Sequence, residues 1–363
     1  MMRLLLLVLC VLLVVFSEYK TNKYQIFAIV VLLFPILGNS LYYVIYNVEP
    51  TLELLLTYTK FLSGLILYYA IDTYLDKGYF TQYDRVMSSL CICYLVAIPL
   101  SMYVGAPDFK TYSEESSRFG FKGIISAGNE VTGVLFFISS CLAFKLLVFK
   151  RKKDMLLFVL CIISSPILGT KGAVLGIIFV IMAVMLERFN LFKFFVISSF
   201  VFSLMSVICY FLYLYVDEVT SAVDLTLAYF TYQFENGAEN SIITLLLSGR
   251  DQKLEHILDQ ALEMIPIFLF FGGWNITDMY VEMDYFDLIL LFGILGSVII
   301  FIFWSKILIV NQCKQFMTFR VATFLSFLVI SATAGHIIYS SLVAVFAVYL
   351  SQLYKFHSRQ VSI

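Results

Sequence analysis

Long runs of apolar residues alternate with short polar segments along most of the chain. We can draw about eleven such runs, and most are roughly 15–25 residues long, which is the length that an α-helix needs to cross a bilayer. A transmembrane β-barrel would show strands of alternating polar and apolar residues, whereas these runs are continuous. The pattern predicts an all-α, polytopic membrane protein with spans near 3–16, 24–46, 51–71, 86–104, 127–149, 155–169, 172–186, 194–216, 284–304, 319–334 and 337–354.

The first apolar run is short for a membrane span and has the length of a signal-peptide core. No small-residue cleavage site precedes Ser17-Glu18-Tyr19-Lys20. We therefore predict that residues 3–16 form a retained span, and we treat residues 1–363 as a single integral membrane domain.

Two polar segments, 105–126 and 217–283, stand out among the connections between the predicted spans. Within 217–283, apolar residues recur at helical spacing between Leu247 and Ile265, which predicts an amphipathic helix lying on or near the membrane surface. Ser248 is its candidate N-cap, and Pro266 marks its expected end.

The Lys and Arg residues concentrate on one side of the predicted spans. Their strongest cluster is Lys150-Arg151-Lys152-Lys153, which the positive-inside rule assigns to the cytoplasm. Counting spans outward from this cluster places 15 of the 24 basic residues on the same side, the cluster included, and six on the opposite side. The N-terminus and the 105–126 and 217–283 loops are then external, and the C-terminus is cytoplasmic.

Composition supports the membrane assignment and removes several alternatives. The chain is 61% hydrophobic and only 13% charged, whereas soluble domains carry about 25% charged residues. Its net charge of −1 excludes a strongly basic nucleic-acid binder, so no nucleic-acid partner is expected. The seven cysteines form no CxxC motif or Cys/His cluster, so we predict neither a disulfide nor a metal site, and no cofactor.

Basic residues at the predicted external ends of spans are the first candidates for function, because charges are costly inside a membrane. Cations near helix N-termini suit an anionic group such as a phosphate. Each position also has a structural explanation: a solvated loop, a lysine that extends to the interface, or a surface arginine paired with a neighbouring carboxylate. The candidates are Arg118 and Lys122 with the following Asn129 and Glu130, then Lys171 between two glycines, and Arg250.

Acidic residues and one histidine form the second set of candidates. Glu282, Asp284 and Asp287 precede or begin an apolar run, where a partly desolvated carboxylate has a raised pKa and can act as a general base. A solvated acidic loop is the alternative. His336 lies between two apolar runs, and a hydrogen-bonded interhelical histidine is as consistent with this position as a catalytic one.

Taken in order, these segments resemble the bacterial O-antigen polymerase and O-antigen ligase superfamily of membrane glycosyltransferases. The resemblance covers about residues 118–296 and is carried by the order of the motifs, since no single motif is specific. Thr170-Lys171-Gly172-Ala173 stands where the family usually has Ser/Thr-Arg-Gly-Ala, and Ala334-Gly335-His336 fits less firmly. The other matching strings are Gly-x-x-Ser-Ala-Gly-Asn-Glu (123–130), Ser-Gly-Arg (248–250), Gly-Gly-Trp (272–274), Glu-Met-Asp-Tyr-x-Asp (282–287) and Gly-Ile-Leu-Gly (293–296).

The resemblance implies an external active site in the bacterial cytoplasmic (inner) membrane and a polyprenyl-diphosphate-linked oligosaccharide as glycosyl donor. It implies metal-independent transfer, in which Lys171 and Arg250 neutralise the diphosphate leaving group. Lysine at 171 keeps the charge but loses the bidentate geometry of arginine. Partners would be the lipid-linked oligosaccharide and the bilayer, with chain-length-regulator and flippase proteins as candidates. The product would be O-antigen, capsule or exopolysaccharide.

Polymerase is favoured over ligase, because ligases of this superfamily commonly carry a His-Asn pair shortly before the Gly-Ile-Leu-Gly segment, where this chain has Glu282-Met283. We expect Glu282 or Asp284 to orient or deprotonate the acceptor hydroxyl, with His336 as the other candidate base. Two further classes stay open: a flippase or transporter of lipid-linked oligosaccharides, for which we see no internal repeat, and a non-catalytic membrane subunit.

Overall fold

A computed structural model describes residues 52–75, 78–112, 119–125, 127–190, 249–262, 267–273, 281–310 and 315–361, with scattered residues between 33 and 45 and between 192 and 247. The described part of the chain is all-helical and contains no strand. Its continuous helices are α1 (Leu52–Leu75), α2 (Phe80–Val104), α3 (Gly128–Phe149), α4 (Lys152–Ile167), α5 (Lys171–Arg188), α6 (Arg250–Leu262), α7 (Ile267–Phe271), α8 (Asp284–Ser305), α9 (Met317–Ala334) and α10 (Ser341–Val361).

Each predicted span that falls in the continuously described ranges coincides with one of these helices. In the part of the chain that the structure describes, three helices are long and apolar enough to cross a membrane: Phe80–Val104, Gly128–Phe149 and Asp284–Ile309. Met317–Thr333 is a shorter apolar helix. These apolar helices are consistent with a membrane protein. The count of about eleven spans is not confirmed, because the runs 3–16, 24–46 and 194–216 lie largely outside the described residues.

The helix predicted within the 217–283 segment is confirmed as α6, which begins at Arg250. Ile257 is buried on one side of this helix, whereas Glu255, His256 and Asp259 are exposed, as expected for an amphipathic helix. The predicted N-cap Ser248 and the predicted stop Pro266 lie outside the described residues.

The helices fall into two compact units, and the first comprises 1–89, 250–313 and 328–363. Helix α8 belongs to this unit and is broken at Gly293, whose φ of 67° and ψ of 175° are not helical. The Gly272-Gly273 turn that follows α7 packs into this break, where Gly273 N donates a hydrogen bond to Leu291 O at 2.9 Å. A Cβ at Gly293 would lie 2.1 Å from Phe270 O, so only glycine permits this contact. The two glycine motifs therefore hold α7 against α8.

The second unit comprises 90–249 and 314–327. Its central helix is α3, which is buried along most of its length. Helices α4 and α5 both pack against α3. A helix that is apolar on all sides needs protein or lipid around it, and here other helices supply most of that cover.

We expect the Lys150–Lys153 segment to be cytoplasmic and α6 to be external, and cysteine labelling tests this topology. A cysteine-free background is required because the native Cys93 is exposed. Lys152 and Glu255 are both exposed and offer matched positions. In intact spheroplasts, an impermeant maleimide should label Glu255→Cys and should label Lys152→Cys only after permeabilisation. The reverse labelling pattern would contradict the predicted orientation.

Candidate functional site

Three separate segments of the first unit meet around the carboxylate of Glu282. Helix α6 supplies Arg250 and Lys253, the turn before α8 supplies Glu282, and the turn between α9 and α10 supplies His336. The Lys253 Nζ donates a hydrogen bond to Glu282 Oε1 at 2.6 Å, and Arg250 Nε lies 3.7 Å from Glu282 Oε2. Both oxygens of Glu282 therefore face cations from α6.

Arg250 is held in place from a second side. Its Nη1 group donates a hydrogen bond to the backbone carbonyl of Thr333, at the end of α9. The Arg250 side chain is 12% exposed, whereas that of Lys253 is 51% exposed. Arg250 is thus a nearly buried and oriented guanidinium, and Lys253 is a half-exposed cation beside it.

The backbone at this site adopts conformations that are uncommon for residues other than glycine. Glu282 has a φ of 63° and His336 a φ of 59°, both in the left-handed region. The preceding Gly335 also has a positive φ, and a Cβ there would lie 2.1 Å from Glu282 O. Left-handed non-glycine residues cost on the order of 1–3 kcal/mol each and cluster at functional sites. Two of them in contacting turns make this place the candidate functional site of the first unit.

Asp284 and Asp287 hold the two turns from within α8. Asp284 is fully buried, and its Oδ2 accepts hydrogen bonds from Ile337 N at 2.9 Å and Ile338 N at 2.7 Å. Asp287 is also fully buried, and its Oδ1 accepts a hydrogen bond from Val281 N at 2.9 Å. One aspartate thus anchors the backbone beside His336, and the other anchors the backbone beside Glu282.

Burial and the neighbouring charges set the protonation states of Glu282 and His336. Burial alone would raise the pKa of Glu282, but the hydrogen bond and charge of Lys253 and the charge of Arg250 outweigh it and hold the pKa below its ordinary value. Burial, opposed by Glu282 and assisted by the nearby cations, lowers the pKa of His336 to about 4. These lowered pKa values keep Glu282 ionised and His336 neutral at neutral pH and make both of them weak bases with the present partners, whereas the sequence predicted a raised pKa for Glu282.

The other predicted site residues that the structure describes lie in the second unit. Lys122 lies in a loop that folds against the turn after α4, where Phe121 N donates a hydrogen bond to Ile167 O at 2.8 Å. Asn129 and the buried Glu130 lie in the first turn of α3. Arg118 lies outside the described residues.

Lys171 begins α5, with Thr170 as its N-cap. The Thr170 Oγ1 atom lies 2.8 Å from Thr132 Oγ1 in α3, so α3 and α5 begin at the same end of the second unit. The Lys171 side chain is exposed there. Predicted residues 122, 129, 130 and 171 therefore share one end of the second unit, as residues 250, 282, 284, 287 and 336 share a site in the first.

Neither Lys253 nor Gly335 was predicted from the sequence to be a site residue. Lys253 follows Arg250 by three positions, which places both on one face of a helix, so the i, i+3 spacing was a usable signal. The contact between Gly335 and the Glu282 backbone joins positions far apart in the chain, and no local pattern predicts it.

Comparison of the chain with models of known protein families, with curated proteins and with solved structures finds no match. The resemblance to the O-antigen polymerase and ligase superfamily therefore depends on the order of the sequence motifs alone.

Proposed function

We propose that the protein is a membrane glycosyltransferase that polymerises polyprenyl-diphosphate-linked oligosaccharide repeats into O-antigen, capsular or exopolysaccharide. The observation that carries the proposal is the meeting of Arg250, Lys253, Glu282 and His336 from three segments of the first unit. These groups combine cations for a diphosphate with a proton acceptor for a hydroxyl, and both can assist this transfer. The order of the sequence motifs supports the same assignment.

In the proposed reaction, the acceptor hydroxyl oxygen forms a bond to the anomeric carbon of the donor sugar. The bond between that carbon and the diphosphate oxygen breaks, and the lipid diphosphate leaves with the bonding electrons. The hydroxyl proton passes to Glu282. Arg250 and Lys253 stabilise the negative charge that develops on the diphosphate, an effect that is strongest when donors are oriented in advance.

Glu282 pairs with both cations, and these ion pairs hold its pKa low. A bound diphosphate competes for Arg250 and Lys253 and brings negative charge near the carboxylate. Both changes raise the pKa of Glu282 and make it a stronger base, so donor binding would itself prepare the acceptor's deprotonation.

The position of the cluster favours an enzyme over a flippase or transporter. Glu282 lies two residues before the candidate span that begins at Asp284, and His336 lies just beyond the end of α9. Transporters place their binding groups near the middle of the membrane. A cluster at the end of a span suits a reaction at the membrane surface, here the external face of the bacterial cytoplasmic membrane.

Glycan analysis of a strain that lacks the protein tests the proposed activity. We expect long polysaccharide chains to disappear while single repeats stay attached to the acceptor, and the wild-type gene should restore them. Loss of all attached glycan with polymer still accumulating on the lipid carrier would instead identify a ligase. Accumulation of unpolymerised repeats on the cytoplasmic side would identify a flippase. Either result would overturn the polymerase assignment.

A further inference from the structure

A second cationic site lies in the first unit, at a cavity formed where α1 ends, α2 begins and α10 approaches its C-terminus. The cavity has a volume of about 250 Å³ and is lined by Leu75, Phe80, Thr81, Gln352, Lys355 and Arg359, among others. None of these residues takes part in the proposed glycosyl transfer. The cavity is therefore separate from the proposed glycosyl-transfer site.

The charges at this cavity favour an anion. Lys355 and Arg359 both line it. Among the described residues, Asp72 is close by: its Oδ1 accepts a hydrogen bond from Lys355 Nζ at 2.5 Å and another from Gln352 Nε2 at 3.1 Å. Asp72 orients the ammonium group of Lys355. Lys355 and Arg359 are the charged side chains among the described residues that line the cavity, and the Thr81 hydroxyl adds a hydrogen-bond donor.

The walls of the cavity combine this charge with apolar surface. The rings of Phe80 and Phe356 stack with their centroids 3.9 Å apart and an interplanar angle of 7°. Nearby, Tyr74 and Tyr79 form a second stacked pair with centroids 4.8 Å apart. Both tyrosines are exposed. Exposed tyrosines next to basic residues are typical of the zone where lipid headgroups meet the hydrocarbon.

The cavity also lies at the end of a candidate span, because Phe80 is the first residue of the apolar helix Phe80–Val104. The distribution of Lys and Arg predicts that this end is cytoplasmic. Basic pockets between helices at the cytoplasmic surface bind anionic lipid headgroups. We propose that the cavity lined by Lys355 and Arg359 binds the phosphate of an anionic phospholipid from the cytoplasmic leaflet.

Lipid titration of the purified full-length protein in neutral detergent, followed by native mass spectrometry, tests this site. The probes are phosphatidylglycerol, phosphatidylcholine and inorganic phosphate. We expect the first phosphatidylglycerol to bind more tightly than phosphatidylcholine, and Arg359→Gln to weaken it about fivefold, the effect of one cation at an anionic surface. Arg359 is an exposed residue near the end of α10, so its replacement should leave the fold intact.

Lys152→Gln is the matched control, because it removes one exposed cation from the same predicted face outside the cavity. We expect it to change phosphatidylglycerol binding less than twofold. If Arg359→Gln and Lys152→Gln weaken phosphatidylglycerol binding equally, the lipid is attracted to surface charge in general, and the proposal is overturned. Equal affinity for the two lipids would also overturn it, as would binding of inorganic phosphate as tight as that of phosphatidylglycerol.

Discussion

Replacing Arg250 with alanine should lower the rate of polymer formation by about a hundredfold, with the protein still present in the membrane at its normal level. The reason is that Arg250 is the oriented cation of the site, nearly buried and fixed by Thr333 O and Glu282. Loss of a charge-assisted contact that strengthens in the transition state costs on the order of 3 kcal/mol, which corresponds to this change in rate.

Three further variants test whether the loss of activity is specific to the guanidinium of Arg250. Arg250→Lys keeps the charge but loses the planar, bidentate donor group, so it should restore little activity. Lys253→Ala should be milder than Arg250→Ala, because the Lys253 side chain is half exposed and is screened by water. Arg151→Ala removes an exposed arginine of the predicted cytoplasmic cluster and should leave polymer length unchanged. A near-normal polymer length in the Arg250→Ala variant would show that Arg250 does not act in the proposed active site.

Helix positions were predictable from the sequence because a continuous apolar run long enough to span a membrane has few stable structures other than an α-helix. The run predicted at 127–149 is the helix Gly128–Phe149, and the run at 284–304 is the helix Asp284–Ser305. The break at Gly293 was not predictable, since the residues around it form one continuous apolar run. It depends on backbone contact with Phe270 and Gly272, which only the folded chain brings near.

The candidate site was predictable in its residue types but not in the roles of its carboxylates. The sequence placed Glu282, Asp284 and Asp287 together at the start of a span, and chemistry suggested that Glu282 or Asp284 acts as a base. The difference between them comes from Ile337 and Ile338, whose backbone N–H groups bind Asp284 from 53 and 54 positions away in the chain. Local spacing carries no information about such a partner.

The geometry leads us to assign the base role to Glu282 and a positioning role to Asp284. Glu282 is partly exposed and touches both cations, so a substrate can reach it. Asp284 is fully buried and uses one oxygen to hold the turn beside His336. An amide oxygen can accept the same two hydrogen bonds, so asparagine should preserve what Asp284 does while removing its charge.

Glu282→Gln should therefore reduce polymerisation by at least about a hundredfold, within the range that a general base contributes. Asp284→Asn should keep activity within a few fold of the wild type, whereas Asp284→Ala should abolish it by releasing the backbone of residues 337 and 338. The measurements are polymer length and rate with a lipid-linked repeat as substrate, together with the melting temperature of each variant. Binding of the lipid-linked substrate should persist in Glu282→Gln.

His336→Ala completes the set, because His336 is the other candidate base predicted from the sequence. With Glu282 as the base, His336→Ala should be milder than Glu282→Gln. If the His336→Ala variant is inactive and the Glu282→Gln variant is active, the base is the imidazole of His336 and not Glu282. An inactive, folded Asp284→Asn would show that Asp284 acts through its charge rather than through its hydrogen bonds. If Glu282→Gln, Asp284→Asn and His336→Ala all polymerise normally, no protein base is needed, and the transfer depends on the cations and on positioning alone.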